Sequence, residues 1–366
     1  MVFVNYPIGQ HFIGGFEGTK ITAEVKDLIR NYKIGGFILF RRNIESVKQV
    51  KELISKLQKL SEKQLFMGVD QEGGSVFRLG PPFTVLPHMS LVGEYYRKTR
   101  QTKLIKKLGQ ILGSELRSVG FNWDYAPVVD VHSNPKNPII GKRSFSFDPK
   151  IVTNCSLALM KGLHHEGVLS CAKHFPGHGA TSVDSHLALP VVDDPTRLMW
   201  KRDLLPYRKL IAKKELLTVM TAHVRYPEWD PHYPATLSRP ILTHLLRGRL
   251  GFKGVVISDD LWMRAVSDKY GISEATRLFF EAGGDIALIC KEPAAIMETM
   301  DLMKKVIRHD REIISDMKES AQRIHKLRKR FATKKPLPST EIIGCLEHQQ
   351  TVEALIKALP QRFKGE

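Results

Sequence analysis

"VLSCAKHFPGHGATSVDSHLALP", residues 168–190, starts as a strand and ends as something else. Val168, Leu169, Cys171 and Ala172 make an apolar run short enough for a buried strand, and Lys173 and His174 follow it directly. Glycine and proline then break any regular element, and His178, Asp184 and His186 crowd in behind them. A charge at a buried strand end costs free energy unless it is paired or used. Three readings are open here: a metal site, a proton-transfer site, or an ordinary polar loop.

The same pattern recurs along the chain. Short β-rich runs occur at 11–16 (HFIGGF), 35–40 (GGFILF), 65–70 (LFMGVD), 121–131 (FNWDYAPVVDV), 216–224 (LLTVMTAHV), 254–260 (GVVISDD) and 285–290 (DIALIC), which with 168–174 makes eight. Amphipathic segments lie between them. In residues 45–63, Val47, Val50, Leu53, Ile54, Leu57 and Leu60 recur at helical spacing. Strands alternating with helices imply a parallel α/β sheet, and eight of them predict a closed (β/α)8 barrel of the TIM type. An open doubly wound sheet is the alternative, but no GxGxxG follows the first strand. Residues 79–100, rich in proline and aperiodic, read as a long loop over one barrel face. The expected organisation is one barrel domain over 1–331, with 332–366 as a linker ("PLPST") and a short helical tail too small to fold alone.

Composition narrows the function classes. The 366 residues carry 42% hydrophobic and 26% charged side chains, ordinary globular values. No apolar run approaches a membrane span, and the first residues lack the layout of a secretory signal. The four cysteines, Cys155, Cys171, Cys290 and Cys345, have no CxxC spacing and read as reduced thiols. The chain is therefore expected in the cytoplasm, as a monomer without a membrane partner. The net charge of +18 fits an anionic partner, but basicity alone is not a site and a generally basic proteome is the better reading; the densest basic cluster, KLRKRFATKK at 326–335, offers few aromatics for base stacking, so no nucleic-acid partner is expected.

With strands at these positions, Asp70, Asp130, Lys173, His174, His223, Asp259 and Asp260 fall at or just past the C-terminal strand ends, the rim where barrel enzymes gather catalytic groups. Asp259 and Asp260 are adjacent, so they are expected to face different surroundings. A carboxylate aimed into a sugar-sized pocket acts as a nucleophile or steadies a developing oxocarbenium ion. Asp184 and His186 are spaced so that, in an extended loop, Asp184 accepts a hydrogen bond from one imidazole nitrogen and the other is presented for proton transfer. The metal reading uses His174, His178, Asp184, His186, His223 and Asp259, but the chain lacks both an HxH pair on the first strand and HExxH. No metal and no other cofactor is expected.

The string KHFPGHG (173–179) followed by DSH (184–186), then SDDL (258–261), with GVDQEGG (68–74) upstream, resembles the bacterial β-N-acetylhexosaminidases of glycoside hydrolase family 3, the NagZ type. The likeness runs from about Gly14 to Cys290. It implies a (β/α)8 enzyme that removes terminal β-linked N-acetylglucosamine with retention, from N-acetylglucosaminyl-1,6-anhydro-N-acetylmuramyl fragments, with or without peptide, in peptidoglycan recycling. By the same resemblance Asp259 is the nucleophile, His186 the general acid/base and Asp184 its partner. Asp70, Arg78, Arg143, Lys173 and His174 are implied as sugar contacts. One departure shows: arginine is expected after QEGG, and Ser75 stands there. An exo-β-glucosidase or xylosidase of the same family, or a barrel metallohydrolase, are the competing readings.

Overall fold

Alternation along short strands sorts the core into two layers. The computed structural model describes residues 6–185, 188–331 and 336–359. β1 (Phe12–Gly14) leads to α1 (Ala23–Arg30), and β2 (Gly36–Ile38) to α2 (Val47–Leu60). Each helix starts on a hydroxyl cap: Thr22 accepts from Val25 N and Ser46 from Gln49 N. β3 (Phe66–Val69) runs into an antiparallel hairpin of β4 (Gln71–Gly73) and β5 (Val76–Phe77), then α3 (Met89–Thr99) and α4 (Lys103–Ser118). After β6 (Trp123–Asp124) comes α5 (Pro149–His165). The next strand is split at Cys171 into β7 (Leu169–Ser170) and β8 (Ala172–Phe175), and α6 (Thr196–Lys201) and α7 (Leu204–Ala212) follow. β9 (Thr218–Thr221) precedes a π-helical segment, Pro240–Arg249. β10 (Val255–Ile257) precedes α8 (Arg264–Tyr270) and α9 (Ile272–Glu281). β11 (Ala287–Ile289) precedes α10 (Pro293–His309), α11 (Arg311–Phe331) and finally α12 (Leu346–Lys357).

All eight expected strand positions hold a strand, but the ladders do not run as the single closed ring that the sequence predicts. They form a six-stranded parallel sheet, β11-β1-β2-β3-β6-β7, and a three-stranded parallel sheet, β10-β9-β8. Two local features interrupt the ladder. At Cys171 the chain passes from one sheet to the other, with its N–H donating to Ala126 O at 2.8 Å. Between β10 and β11 a single bridge joins Ile257 and Ile286, and the next N–H, that of Leu288, is taken by the Ser258 side chain at 2.9 Å.

One layer of the core lies on the inner faces: Ile13, Ile38, Phe66, Trp123, Leu169, Met220, Ile257 and Leu288 pack as one cluster. Their strand neighbours, such as Phe12, Phe37, Val256 and Ile289, face the helices in a second, larger cluster. Ile324, Leu327 and Phe331 of α11 join the inner cluster beneath Phe66, the first residue of β3. That end is thereby sealed, and the opposite end, where the strands finish, is left for the loops.

The stretch 79–100 is only partly a loop. Its second half is α3, which buries Met89, Leu91, Val92 and Tyr95 and stops at Arg100 in the left-handed region (φ 57°). Prolines at its start hid a helix whose apolar face is complete. The described part of the C-terminal tail carries α12. It docks on Glu115, which accepts from Gly344 N at 3.0 Å and meets His348 Nδ1 at 2.7 Å. Among the described residues no helix is long and apolar enough to cross a membrane.

Candidate active site

The strand ends do converge. Asp70, Arg78, Arg143, Lys173, His174 and Asp259 all line one cleft of about 370 Å³, together with Glu72, His178, Ser185, Asp260 and Trp262. Six of the eight residues expected at the site are therefore brought together. Asp184 is partly buried and does not itself line the cleft, although Ser185 does. His186 lies outside the described residues.

The hub of the cleft is Glu72, which sequence reasoning passed over. It is 2% exposed, and Arg143 grips it with two parallel bonds, Nε to Oε2 and Nη2 to Oε1, both 2.8 Å. Lys173 Nζ lies 2.7 Å from Glu72 Oε1 and 2.7 Å from Asp70 Oδ1. Arg78 stands 3.7 Å from the other oxygen of Asp70. Burial opposes the charge on Glu72, but the Arg143 and Lys173 cations outweigh it and hold its carboxyl well below the usual range. Burial likewise opposes the charge on Lys173, and Asp70 and Glu72 raise its pKa above the usual lysine value. The expected sugar contacts thus arrive already oriented by one another. The signal that could have found Glu72 is its spacing from Asp70: residues two apart on an extended segment share a face.

The second cluster is built on Asp130, at 1% exposure. Its Oδ2 meets His174 Nδ1 at 2.8 Å, and its Oδ1 accepts the backbone N–H of His174 (3.1 Å) and of His178 (2.6 Å). Burial works against its charge, and the neighbouring His174 and these bonds bring its pKa below the ordinary value. Nδ1 is thus the His174 ring nitrogen that donates to Asp130.

Asp259 and Asp260 do face different surroundings, although both lie past the end of β10 rather than in its pleat. Asp260 Oδ1 accepts from Trp262 N and Cys290 N, both at 3.0 Å, so it ties the loop to the next strand. Burial pushes its pKa up to about 6. Asp259 accepts only its neighbour's N–H, at 2.8 Å, among the bonds described. Burial opposes its charge too, yet His223, His174 and Lys173 together with that N–H set its pKa below the ordinary value. Among the described residues, the cleft therefore holds one carboxylate, Asp259, kept ionised without an ion pair of its own. His223 takes the bland reading: its ring is buried between Thr236 Oγ1 (2.8 Å) and Asp260 O (3.0 Å). Among the described residues no three histidine, cysteine or acidic side chains are placed to hold a metal ion.

Comparison with known proteins places this geometry. The model of the glycosyl hydrolase family 3 N-terminal domain matches residues 4–327. β-Hexosaminidase A of Pseudoalteromonas piscicida is 40% identical over 303 residues, 78% of this chain and 50% of that protein, so the chain spans about half of that relative's length. A β-hexosaminidase of Neisseria meningitidis serogroup C is 40% identical over 282 residues, covering 76% of this chain and 77% of that one. The crystal structure of NagZ from Neisseria gonorrhoeae in complex with N-trifluoroacetyl-D-glucosamine superposes with a TM-score of 0.79 at 32% identity, covering 95% of this chain and 97% of that chain.

Proposed function

The chain belongs to glycosyl hydrolase family 3, in its NagZ-type β-N-acetylhexosaminidase group, and on that premise we propose that it removes terminal, non-reducing β-linked N-acetylglucosamine with retention of configuration. The observation that carries the reading is Asp259: a carboxylate kept ionised by its surroundings, in a cleft where Asp70, Glu72, Arg143 and Lys173 are paired with one another. In this mechanism Asp259 attacks the anomeric carbon and forms a glycosyl ester as the aglycone leaves. His186, backed by Asp184, protonates the departing oxygen and then takes a proton from the water that opens the ester. Asp70, Arg78, Arg143, Lys173 and His174 hold the sugar hydroxyls. Most retaining glycosidases assign both roles to carboxylates; here the acid/base is an imidazole, so the esterified sugar is approached without a second negative charge nearby.

The proposed substrate is the N-acetylglucosaminyl-1,6-anhydro-N-acetylmuramyl unit, with or without peptide, handled in the cytoplasm during peptidoglycan recycling by a single chain that needs no cofactor. The catalytic unit is residues 1–331, with 332–366 as an appended tail. We also read the two sheets as parts of one (β/α)8 ring, because β7 and β8 are a single run of chain shared between them and β10 touches β11. The test is hydrolysis of nitrophenyl N-acetyl-β-glucosaminide against the matching glucoside and xyloside. Preference for the N-acetyl sugar is expected, with a glycosyl-Asp259 peptide trapped by a slow substrate. Equal turnover of the three, or a label on another residue, overturns the reading.

A further inference from the structure

His178 has no part in the chemistry just proposed, yet it is 2% exposed and both of its ring nitrogens are engaged. Nδ1 lies 2.9 Å from Thr181 Oγ1 and Nε2 lies 3.1 Å from Ser185 Oγ. The tautomer follows by elimination. The single hydroxyl hydrogen of Thr181 goes to His178 O at 3.1 Å, and Asn137 Nδ2 donates into Thr181 Oγ1 at 3.0 Å. Nδ1 must then donate to Thr181, and Nε2 must accept the hydroxyl hydrogen of Ser185. Burial and the nearby His174 push the His178 pKa down to about 4, so the ring stays neutral at ordinary pH.

The base of this arrangement is fixed. Asp130 holds the backbone of His178 and the ring of His174 with the same carboxylate. Tyr226 donates to Gly177 O at 2.6 Å, and Asn137 to His178 O at 2.9 Å. At Gly179 a Cβ would lie 1.7 Å from Val131 O, so the backbone there fits only without a side chain. Ser185, 3% exposed, lines the cleft and is the residue between Asp184 and His186 in the chain.

We propose that His178 is a positioning residue, a latch whose hydrogen bond to Ser185 sets the loop carrying the acid/base pair against the sugar-binding cluster. The latch sits on the same carboxylate as His174, so the loop and the sugar contacts share one reference point. This rests on the assignment of His186 as acid/base.

The experiment is kcat/KM, which reports the steps through departure of the aglycone, for two substrates: a dinitrophenyl N-acetyl-β-glucosaminide, which leaves without a proton, and an alkyl one, which needs the proton. Ser185→Ala is expected to lower kcat/KM about tenfold on the alkyl substrate, the scale of one lost hydrogen bond, and to leave the dinitrophenyl value within about twofold. Ser185→Thr, which keeps the hydroxyl, restores the alkyl value. Thermal unfolding of both variants checks that the fold is intact. Equal losses on both substrates, or no loss on either, overturn the latch. His186→Ala separates the two ideas. If it shows the leaving-group dependence and Ser185→Ala does not, the latch alone fails. If His186→Ala lacks that dependence, the acid/base assignment falls and the latch falls with it.

Discussion

Among the described residues, two fully buried carboxylates, at opposite ends of the strands, are each gripped by two cations. Asp285 sits just before β11, fully buried, with Arg247 Nη2 at 2.6 Å, Arg323 Nε at 2.9 Å and Val256 N at 2.7 Å. Glu72, just after β3, has Arg143 and Lys173. The Asp285 clamp is closed over by α11, and its partners come from α11, the π-helical segment and the sheet. The Glu72 clamp opens on the cleft. Of the three donors of the Lys173 ammonium, two go to Asp70 and Glu72, and among the described residues the third has no acceptor. The same ion-pair chemistry thus serves cohesion where it is sealed and recognition where donors remain to be shared.

The largest expected effect concerns the group that neither clamp uses. Asp259→Asn should cut turnover by on the order of 10⁴-fold or more on every leaving group, since the displacement itself is lost. Its melting temperature at neutral pH should hold or fall slightly, because a carboxyl whose folded pKa lies below the ordinary value contributes stability while ionised. Retained activity on an activated substrate would remove Asp259 from the mechanism.

Asp285→Ala should act on stability alone. Breaking a buried ion pair on one side leaves the other charges uncompensated, a cost of about 3–5 kcal/mol. Burial opposes its charge, but Arg247 and Arg323 hold its folded pKa below the ordinary value. Its contribution is therefore present above the usual carboxylate pKa and lost as the pH falls through the depressed one. The gap between wild type and variant in denaturant midpoint should shrink in acid, while kcat/KM per folded molecule stays unchanged. A changed kcat/KM would mean that the sealed end also shapes the cleft.

Glu72→Gln should register in both currencies. Arg143 and Lys173 lose the anion between them, so KM should rise about tenfold, the effect of one charge-assisted contact, with a smaller fall in melting temperature than for Asp285→Ala. An unchanged KM would show that Arg143 and Lys173 hold their places without it.

How much of this was legible depends on the reach of each interaction. The strands were readable because period-two burial and β-rich runs are local, and α1 and α2 because their caps and apolar spacing are local too. The hairpin of β4 and β5 was not, since QEGGSVF carries no alternation. How the strands join was not readable: pattern predicts strands, but the breaks in the ladder at Cys171 and Ser258 depend on single hydrogen bonds. At the site, motif and resemblance supplied Asp70, Arg143, Lys173 and Asp259. The role of Glu72 stayed hidden because Arg143 lies 71 residues away, just as Asp70 and Lys173 are 103 apart. His178 looked like a candidate metal ligand until the Thr181 and Ser185 hydroxyls were placed around it.

The smallest effect sharpens the comparison at Asp260, a carboxyl with neither clamp nor cation. Its folded pKa is raised to about 6 by burial, above the unfolded value. Stability is thus fully present below the unfolded pKa and is lost as pH rises through the folded one. Asp260→Asn keeps the side-chain oxygen that accepts from Trp262 and Cys290 and removes the charge. The variant should gain on the order of 1–2 kcal/mol at pH 7 and almost nothing at pH 4. In the pH profile of kcat/KM, the wild type should show an inflection near 6 that the variant lacks, because ionised Asp260 adds to the negative field at the anomeric centre beside Asp259. A variant that is equally stabilised at both pH values would place the gain in packing, and an inflection that survives the substitution would assign it to another group in the cleft.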